Sequence, residues 1–313
     1  MDGNAIRRNN DRGGIKSLLD SYFFRRNMLG ILFVLPALLF LVFFVLYPVL
    51  YNVFLSLTNA TLSKDTFKFV GLKNYVKLFK STNFLRYLKN NIIWTVFSVI
   101  GQLALGLAFA LIITKRVRGG TFLRSILLVP YVVPAVSISL LTRWLCNSQY
   151  GIITLFLNKI GAVPNSYSPL SLPGYAMATV IIVNTWRSYP FPMLIYWAAL
   201  KGIDQEIYEA AVVDGANKYQ SFLYVTLPQL RNTTLTLAIL RIAWTATYFD
   251  LIWMVTGGGP AGTTTHLPIM IYQNSFGTFQ TGYAAAVSVV LGLMLIVFVI
   301  YYVRQSGNVE TSY

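Results

Sequence analysis

Three ionisable residues sit where an apolar chain has least use for charge. Arg187, Arg241 and Asp250 lie inside long apolar runs, and a charge in a hydrocarbon layer is costly unless it is paired or used. At helical spacing Asn184, Arg187, Ser188 and Phe191 share one face, and Arg241, Trp244, Tyr248 and Ile252 share another. Such side chains suit a polar, aromatic-lined path. Trp244 and Tyr248 offer ring faces for stacking, while Asn184 and Arg187 offer bonds to hydroxyls or to an anionic group. The competing reading makes Arg187 an internal pair partner that sets helix register. Asp250 is nine residues beyond Arg241, about 180° away around an unbroken helix, and for it the structural reading is preferred. Trp186 and Trp253 read as packing or interfacial aromatics.

Catalysis finds little to build on. Cys146 is the only cysteine and His266 the only histidine, so there is no internal disulfide, no cysteine metal cluster and no basis for a histidine triad. No Gly-x4-Gly-Lys-Ser/Thr occurs, so nothing cradles a nucleotide phosphate. The chain is expected to be no enzyme and to hold no cofactor or metal. Gly257, Gly258, Gly259 and Pro260 read as an external turn, and His266 as a loop residue.

The elements that position these residues follow from composition. Of 313 residues 56% are hydrophobic and only 11% charged, against roughly a quarter charged in a soluble domain. Apolar runs of about twenty residues point to an all-α integral membrane protein. Six spans are expected: Leu29–Leu57, Asn91–Thr114, Phe122–Cys146, Tyr175–Leu200, Thr233–Thr256 and Gly282–Val303. Residues 29–303 are expected to form one six-helix transmembrane domain, with a cytoplasmic segment at 1–28, an external loop at 58–90, a cytoplasmic loop at 201–231 and a cytoplasmic tail at 304–313. The first run is too long for a signal peptide and reads as an anchor. Pro36, Pro48, Pro130, Pro134, Pro190 and Pro192 fall inside spans and predict kinks. The net charge of +15 is spread over loops and helix ends, where it meets lipid head groups, not nucleic acid. Lys and Arg number fourteen on the side of the termini against eight on the other, which favours cytoplasmic termini. In the first external loop Leu72, Tyr75, Val76 and Phe79 recur at helical spacing beside Lys73, Lys77 and Lys80. A collar on lipid head groups is preferred there to a docking surface.

The segment 204–231 is polar between two apolar spans. Asp204 is placed to cap a helix with Glu206 and Glu209 near its positive end. Ile207, Ala210 and Ala211 make a small-sided face. Gly215 is placed to end the helix in a left-handed turn. A second stretch carries Phe222 and Val225 on one face, and Pro228 falls near the start of the helix into the fifth span. These residues, Glu209-Ala210-Ala211, Asp214-Gly215, Val225 and Leu227-Pro228, resemble the EAA loop of permease subunits of binding-protein-dependent ABC importers. The stretches Trp186-Arg187-Ser188-Tyr189-Pro190-Phe191, Phe249-Asp250-Leu251-Ile252 and Phe69-Val70-Gly71-Leu72-Lys73-Asn74-Tyr75 resemble the carbohydrate-type subfamily, and most closely the first permease of sugar or glycerol-phosphate importers. Only Val225 departs, standing where Ile is commonest. The resemblance implies six transmembrane helices with a coupling loop between the fourth and fifth. It implies a second homologous permease, two ATPase subunits, an external solute-binding protein and a sugar-type solute that Trp244 and Tyr248 would stack against. Residues Glu209, Ala210, Ala211, Asp214, Gly215, Leu227 and Pro228 would then receive the ATPases' closure.

Two rivals stand beside this reading. An ion-coupled secondary transporter calls for mid-membrane acids and inverted repeats, and this chain has Asp250 and no visible repeat. An intramembrane enzyme lacks a constellation of catalytic groups.

Overall fold

The computed structural model describes residues 31–63, 67–114 and 120–310. The N-terminal segment before Ile31, the basic run 115–119 and the last three residues lie outside the described residues. The chain divides into two compact units, 1–55 and 56–313. Most of helix α1, Ile31–Ser56, belongs to the first. It is uniformly apolar and carries a π turn at Val42–Leu46. Pro48 follows that turn closely; it lacks the N–H that a regular helix would present to the Phe44 carbonyl, and widening the turn accommodates the loss.

The second unit is helical, with an antiparallel bridge between Thr58 and Phe69. Its elements are α2 (Lys73–Lys80), α3 (Thr82–Thr114), α4 (Gly120–Val132), α5 (Ala135–Leu145), α6 (Ile152–Lys159), α7 (Pro173–Ser188), α8 (Pro190–Lys201), α9 (Gln205–Val213), α10 (Arg231–Ala246), α11 (Asp250–Thr256), α12 (Leu267–Tyr272) and α13 (Thr281–Glu310).

Helix α3 is the post around which the unit is built, packing on α7, α8 and α10. Two glycines let the fourth span come close. A Cβ on Gly101 would meet the Thr185 side chain at 2.8 Å, and one on Gly106 would meet Pro192 Cβ at 2.7 Å. Small residues at such crossings let backbones approach where lipid supplies no hydrophobic drive between helices. The same helix buries a polar stripe, Asn91, Thr95, Ser98 and Gln102, at i, i+4, i+7 and i+11. Trp94 Nε1 donates to the Thr245 carbonyl at 2.9 Å, and Asn90 Nδ2 donates to the carbonyls of Gly262 and Thr265 at 3.1 and 2.8 Å. These bonds tie α3 to the chain on either side of α11.

Three expected spans are not single helices. The third bends by 89° between α4 and α5. Pro134 is extended there (φ −58°, ψ 144°), and a proline pushes its predecessor out of the helical region. The fourth is divided at Tyr189, where Pro190 opens α8. The fifth is not continuous over Thr233–Thr256: α10 and α11 meet at 45°. By length and composition Ile31–Ser56, Thr82–Thr114 and Thr281–Tyr302 each suffice to cross a membrane, and each bent pair adds one more.

The basic helix α2 is anchored to the rest of the unit by residues outside its expected apolar face. Leu78 is fully buried against Phe84, Leu267 and Val287. Lys77 Nζ reaches Gln280 Oε1 at 2.9 Å and stands over the Tyr283 ring. Leu72, Val76 and Phe79 remain exposed, and they are the part of the expected apolar face still free to meet lipid.

Candidate functional site

Two places gather the residues singled out above. The first is a cavity of about 400 Å³ between α4, α7 and α10. Asn184, Arg187 and Ser188 enter from the last turn of α7. Arg241, Trp244, Thr245 and Tyr248 enter from α10 and its end, and Tyr131 enters from α4. Arg187 Nη1 donates to Tyr248 Oη at 3.0 Å, joining the fourth span to the fifth. Arg241 is 6% exposed, and its Nε donates to Gln102 Oε1 at 2.7 Å. The guanidiniums of Arg187 and Arg241 each stand 5.6 Å from a ring, those of Tyr248 and Trp244 respectively. On the α8 side Phe191 packs on Trp244 at 5.3 Å and near Tyr131 at 6.4 Å. Ser188 Oγ donates to Asn184 Oδ1 at 3.4 Å. Asn184 Nδ2 and Arg187 Nε are buried without a protein partner. A polar hollow edged by aromatic rings is what a hydroxyl-bearing ring needs: donors for its oxygens and a π face for its C–H side.

The face expected from helical spacing holds for Asn184, Arg187, Ser188, Arg241, Trp244 and Tyr248. Ile252 is not part of it. The break at Thr247–Phe249 rotates α11, and Ile252 is fully buried beside Trp94 and Leu251. Asp250 does not line the cavity either. It is the exposed first residue of α11, so the angle counted along an unbroken helix does not describe its place. Its expected role as a buried pair partner is not met.

What secures that break is His266. The ring is fully buried, and Nε2 sits 2.9 Å from the Tyr248 carbonyl. Tyr248 N turns back to the Thr245 carbonyl, so the helix tightens and stops. Outside the spans, at the start of α12, burial holds the imidazole of His266 down at about 4. It is a loop residue, as expected, but a fully buried one that acts as a structural strut. The Gly257–Pro260 stretch is a turn as expected, with Gly257 at φ 60° and Gly258 at φ 93°. Gln102, Tyr131, Thr245 and His266 are the site residues that sequence reasoning missed.

The second place is the hairpin between α8 and α10. Helix α9 ends at Asp214, and Gly215 takes φ 82°; Ala216 N then donates to the Ala211 carbonyl at 2.9 Å, which closes the turn. Asp204 occupies the N-cap position but its side chain makes no cap bond. The side-chain cap belongs to Asn217, which forms a capping box with Gln220 at the second arm. That arm runs from Lys218–Ser221 through a π turn at Phe222–Thr226 to Leu227–Gln229. Pro228 stands in the first turn of Leu227–Gln229, just ahead of α10 at Arg231, near the start of the helix into the fifth span as expected. Tyr208 Oη and Thr226 Oγ1 meet at 3.1 Å and hold the arms together. Glu209, Ala210, Asp214, Gly215 and Pro228 are exposed, while Ala211 and Leu227 are half-buried. Val212, Val213, Tyr219 and Tyr224 stand largely in the open.

The hairpin sits at the end of the helices that carries Thr114, Lys201 and Arg124. Arg124 and Lys201 lie on the Trp197 ring at 4.4 and 4.3 Å, a cation–aromatic girdle of the kind found at a bilayer boundary. A hollow of about 540 Å³ lined by Leu111, Thr114, Leu200, Tyr208, Val212 and Phe222 separates hairpin from spans.

With this geometry in view, comparison with known proteins is specific. Residues 102–306 match the family described as "binding-protein-dependent transport system inner membrane component". The trehalose/maltose transport system permease protein MalF of Thermococcus litoralis is 31% identical over 281 residues, covering 90% of this chain and 94% of that one. The multiple sugar-binding transport system permease protein MsmF of Streptococcus mutans is 29% identical over 296 residues, 95% and 99% of the two chains. A chain in the crystal structure of a bacterial alginate ABC transporter in complex with an alginate pentasaccharide-bound periplasmic protein shares the fold, with TM-score 0.78 at 21% identity over 92% of this chain and 97% of that one.

Proposed function

Because the chain belongs to the family of inner membrane components of binding-protein-dependent transport systems, we propose that it forms half of the translocation pathway of an ATP-driven importer for a sugar, oligosaccharide or sugar-phosphate. As a permease component it is not an enzyme; ATP hydrolysis belongs to a separate subunit. The ion-coupled alternative falls with this membership. Six spans, cytoplasmic termini, a second permease and two ATPase subunits complete the reading.

The observation that carries it is the cavity between the fourth and fifth spans, whose far ends the exposed hairpin joins. Trp244 and Tyr248 supply ring faces, and Asn184 and Arg187 supply donors. Glu209, Ala210, Ala211, Asp214, Gly215, Leu227 and Pro228 form the knob that an ATPase would push. Exposed Val212, Val213, Tyr219 and Tyr224 suit an apolar cleft on that partner.

In reconstituted importer, Trp244→Ala or Tyr248→Ala should lower solute-stimulated ATP hydrolysis at least tenfold with the complex still assembled. Unchanged uptake in both variants defeats the path assignment. Gly215→Pro should leave ATP hydrolysis running without uptake, since proline cannot take φ 82°; Glu209→Lys should do the same. Full uptake in both counts against the coupling role.

A further inference from the structure

The cavity contains two guanidiniums and no carboxylate. Arg187 and Arg241 both line it, and no Asp or Glu is among the lining residues. Their own partners are neutral: a phenol for Arg187 and an amide oxygen for Arg241. Asp250, the acid nearest along the chain, is exposed at the start of α11 and lines nothing here. Placing two like charges in a hollow walled by membrane helices is unfavourable unless an anion joins them. Ring faces at 5.6 Å offset only part of that cost. The loose ends point the same way. On the lining residues the unpartnered buried atoms are Asn184 Nδ2 and Arg187 Nε, both nitrogen donors, and Thr245 Oγ1, a hydroxyl that can donate as well as accept, so an acceptor-only group can satisfy all three. A neutral sugar offers acceptors too, but it brings no charge and leaves both guanidiniums unmatched.

We propose that the transported solute carries an acidic group, a carboxylate, sulfonate or phosphate ester, which Arg187 and Arg241 hold from the two facing spans. This rests on the importer reading above and names the solute class within it. Gln102 is then a positioning residue, steering Arg241 from α3 without reaching the solute.

The test is ATP hydrolysis by the assembled importer in liposomes with its binding protein, read in turn with digalacturonate, glucose 6-phosphate, glutarate, maltose and raffinose. Stimulation by an acidic sugar at least tenfold above either neutral sugar is expected. Arg187→Gln should remove at least tenfold of it, and Arg187→Lys should restore part, with both variants co-purifying as the parent does. Maltose or raffinose stimulating as strongly as the acidic probes overturns the charge assignment and leaves the sugar reading standing. Glutarate alone stimulating defeats the sugar reading and supports the charge assignment. Silence of all three acidic probes overturns it, and so does full activity of Arg187→Gln.

Discussion

Acid should loosen this protein through one imidazole. His266 is fully buried, with Nε2 at 2.9 Å from the Tyr248 carbonyl and Nδ1 without a partner. The neutral ring with the proton on Nε2 satisfies that carbonyl; a second proton would place an unmatched charge in the core. Burial therefore lowers the group from 6.5 to about 4. The sign follows from proton counting. Between these values the unfolded chain holds the proton and the folded chain does not, so stability is complete above about 6.5 and is lost as pH falls toward 4. One-site linkage gives a loss of about 2 kcal/mol between pH of about 7 and about 5, with about 3 kcal/mol lost once the folded group titrates. The comparison is His266→Gln, which keeps an N–H donor of similar reach and cannot titrate. Apparent melting temperature of the detergent-purified importer, followed by intrinsic fluorescence across that range, should fall several degrees further for the parent than for the variant. No other histidine in the chain contributes. Identical pH slopes would show that this ring is not the sensor and that the strut does not depend on its neutrality.

Gly106→Leu should lower the melting temperature by the equivalent of about 1–3 kcal/mol, because its Cβ would meet Pro192 Cβ at 2.7 Å and Met193 N at 3.0 Å, while Gly174→Ala, which meets nothing, should not. Tyr208→Phe removes the bond to Thr226 that joins the hairpin arms, worth about 1 kcal/mol; it should raise the ATP hydrolysed per solute carried and leave the melting temperature of the spans in place, and an unchanged ratio would show that the arms need no such tie.

The hairpin was the most legible part of the chain. Its turn requires positive φ at one position, and Gly215 is there; its helix start requires an extended residue, and Asp204 is there. The cavity was half legible. Helical spacing aligned Asn184 with Arg187 and Arg241 with Tyr248, because each set lies within one helix or at its end. It failed from Phe249 onward because the cause of the break, His266, is eighteen residues away in sequence. No periodicity within the span reports a carbonyl captured from outside. Gln102 was within reach: it continues the spacing of Asn91, Thr95 and Ser98 along α3, a polar stripe in an apolar helix that calls for a partner. Tyr131 was not, since its place depends on the 89° bend after it. Spacing along α2 did not report Leu78, which lies outside the expected apolar face and anchors the helix while Leu72, Val76 and Phe79 stay exposed.

The two sites are coupled through few joints, and this bears on how a push at the hairpin would travel. From the hairpin, α8 and α10 rise side by side, and Tyr196 Oη bonds Thr234 Oγ1 at 3.1 Å between them. Beyond that rung lie Phe191 and Trp244, in contact at 5.3 Å, and next Arg187 and Tyr248 at 3.0 Å. Each pair takes one member from each span, so sliding the spans past one another strains every rung together. The fifth span breaks at Thr247–Phe249, just past Arg241 and Trp244, while α8 passes to α7 at Tyr189, on the hairpin side of Arg187. Stiff rungs below that break let the hairpin end move as a block against the part anchored by His266 and α3. On the proposed reading, the Arg187–Tyr248 bond, whose phenol sits at the break, is then the first to part when the block turns, and a solute anion is the group placed to replace it.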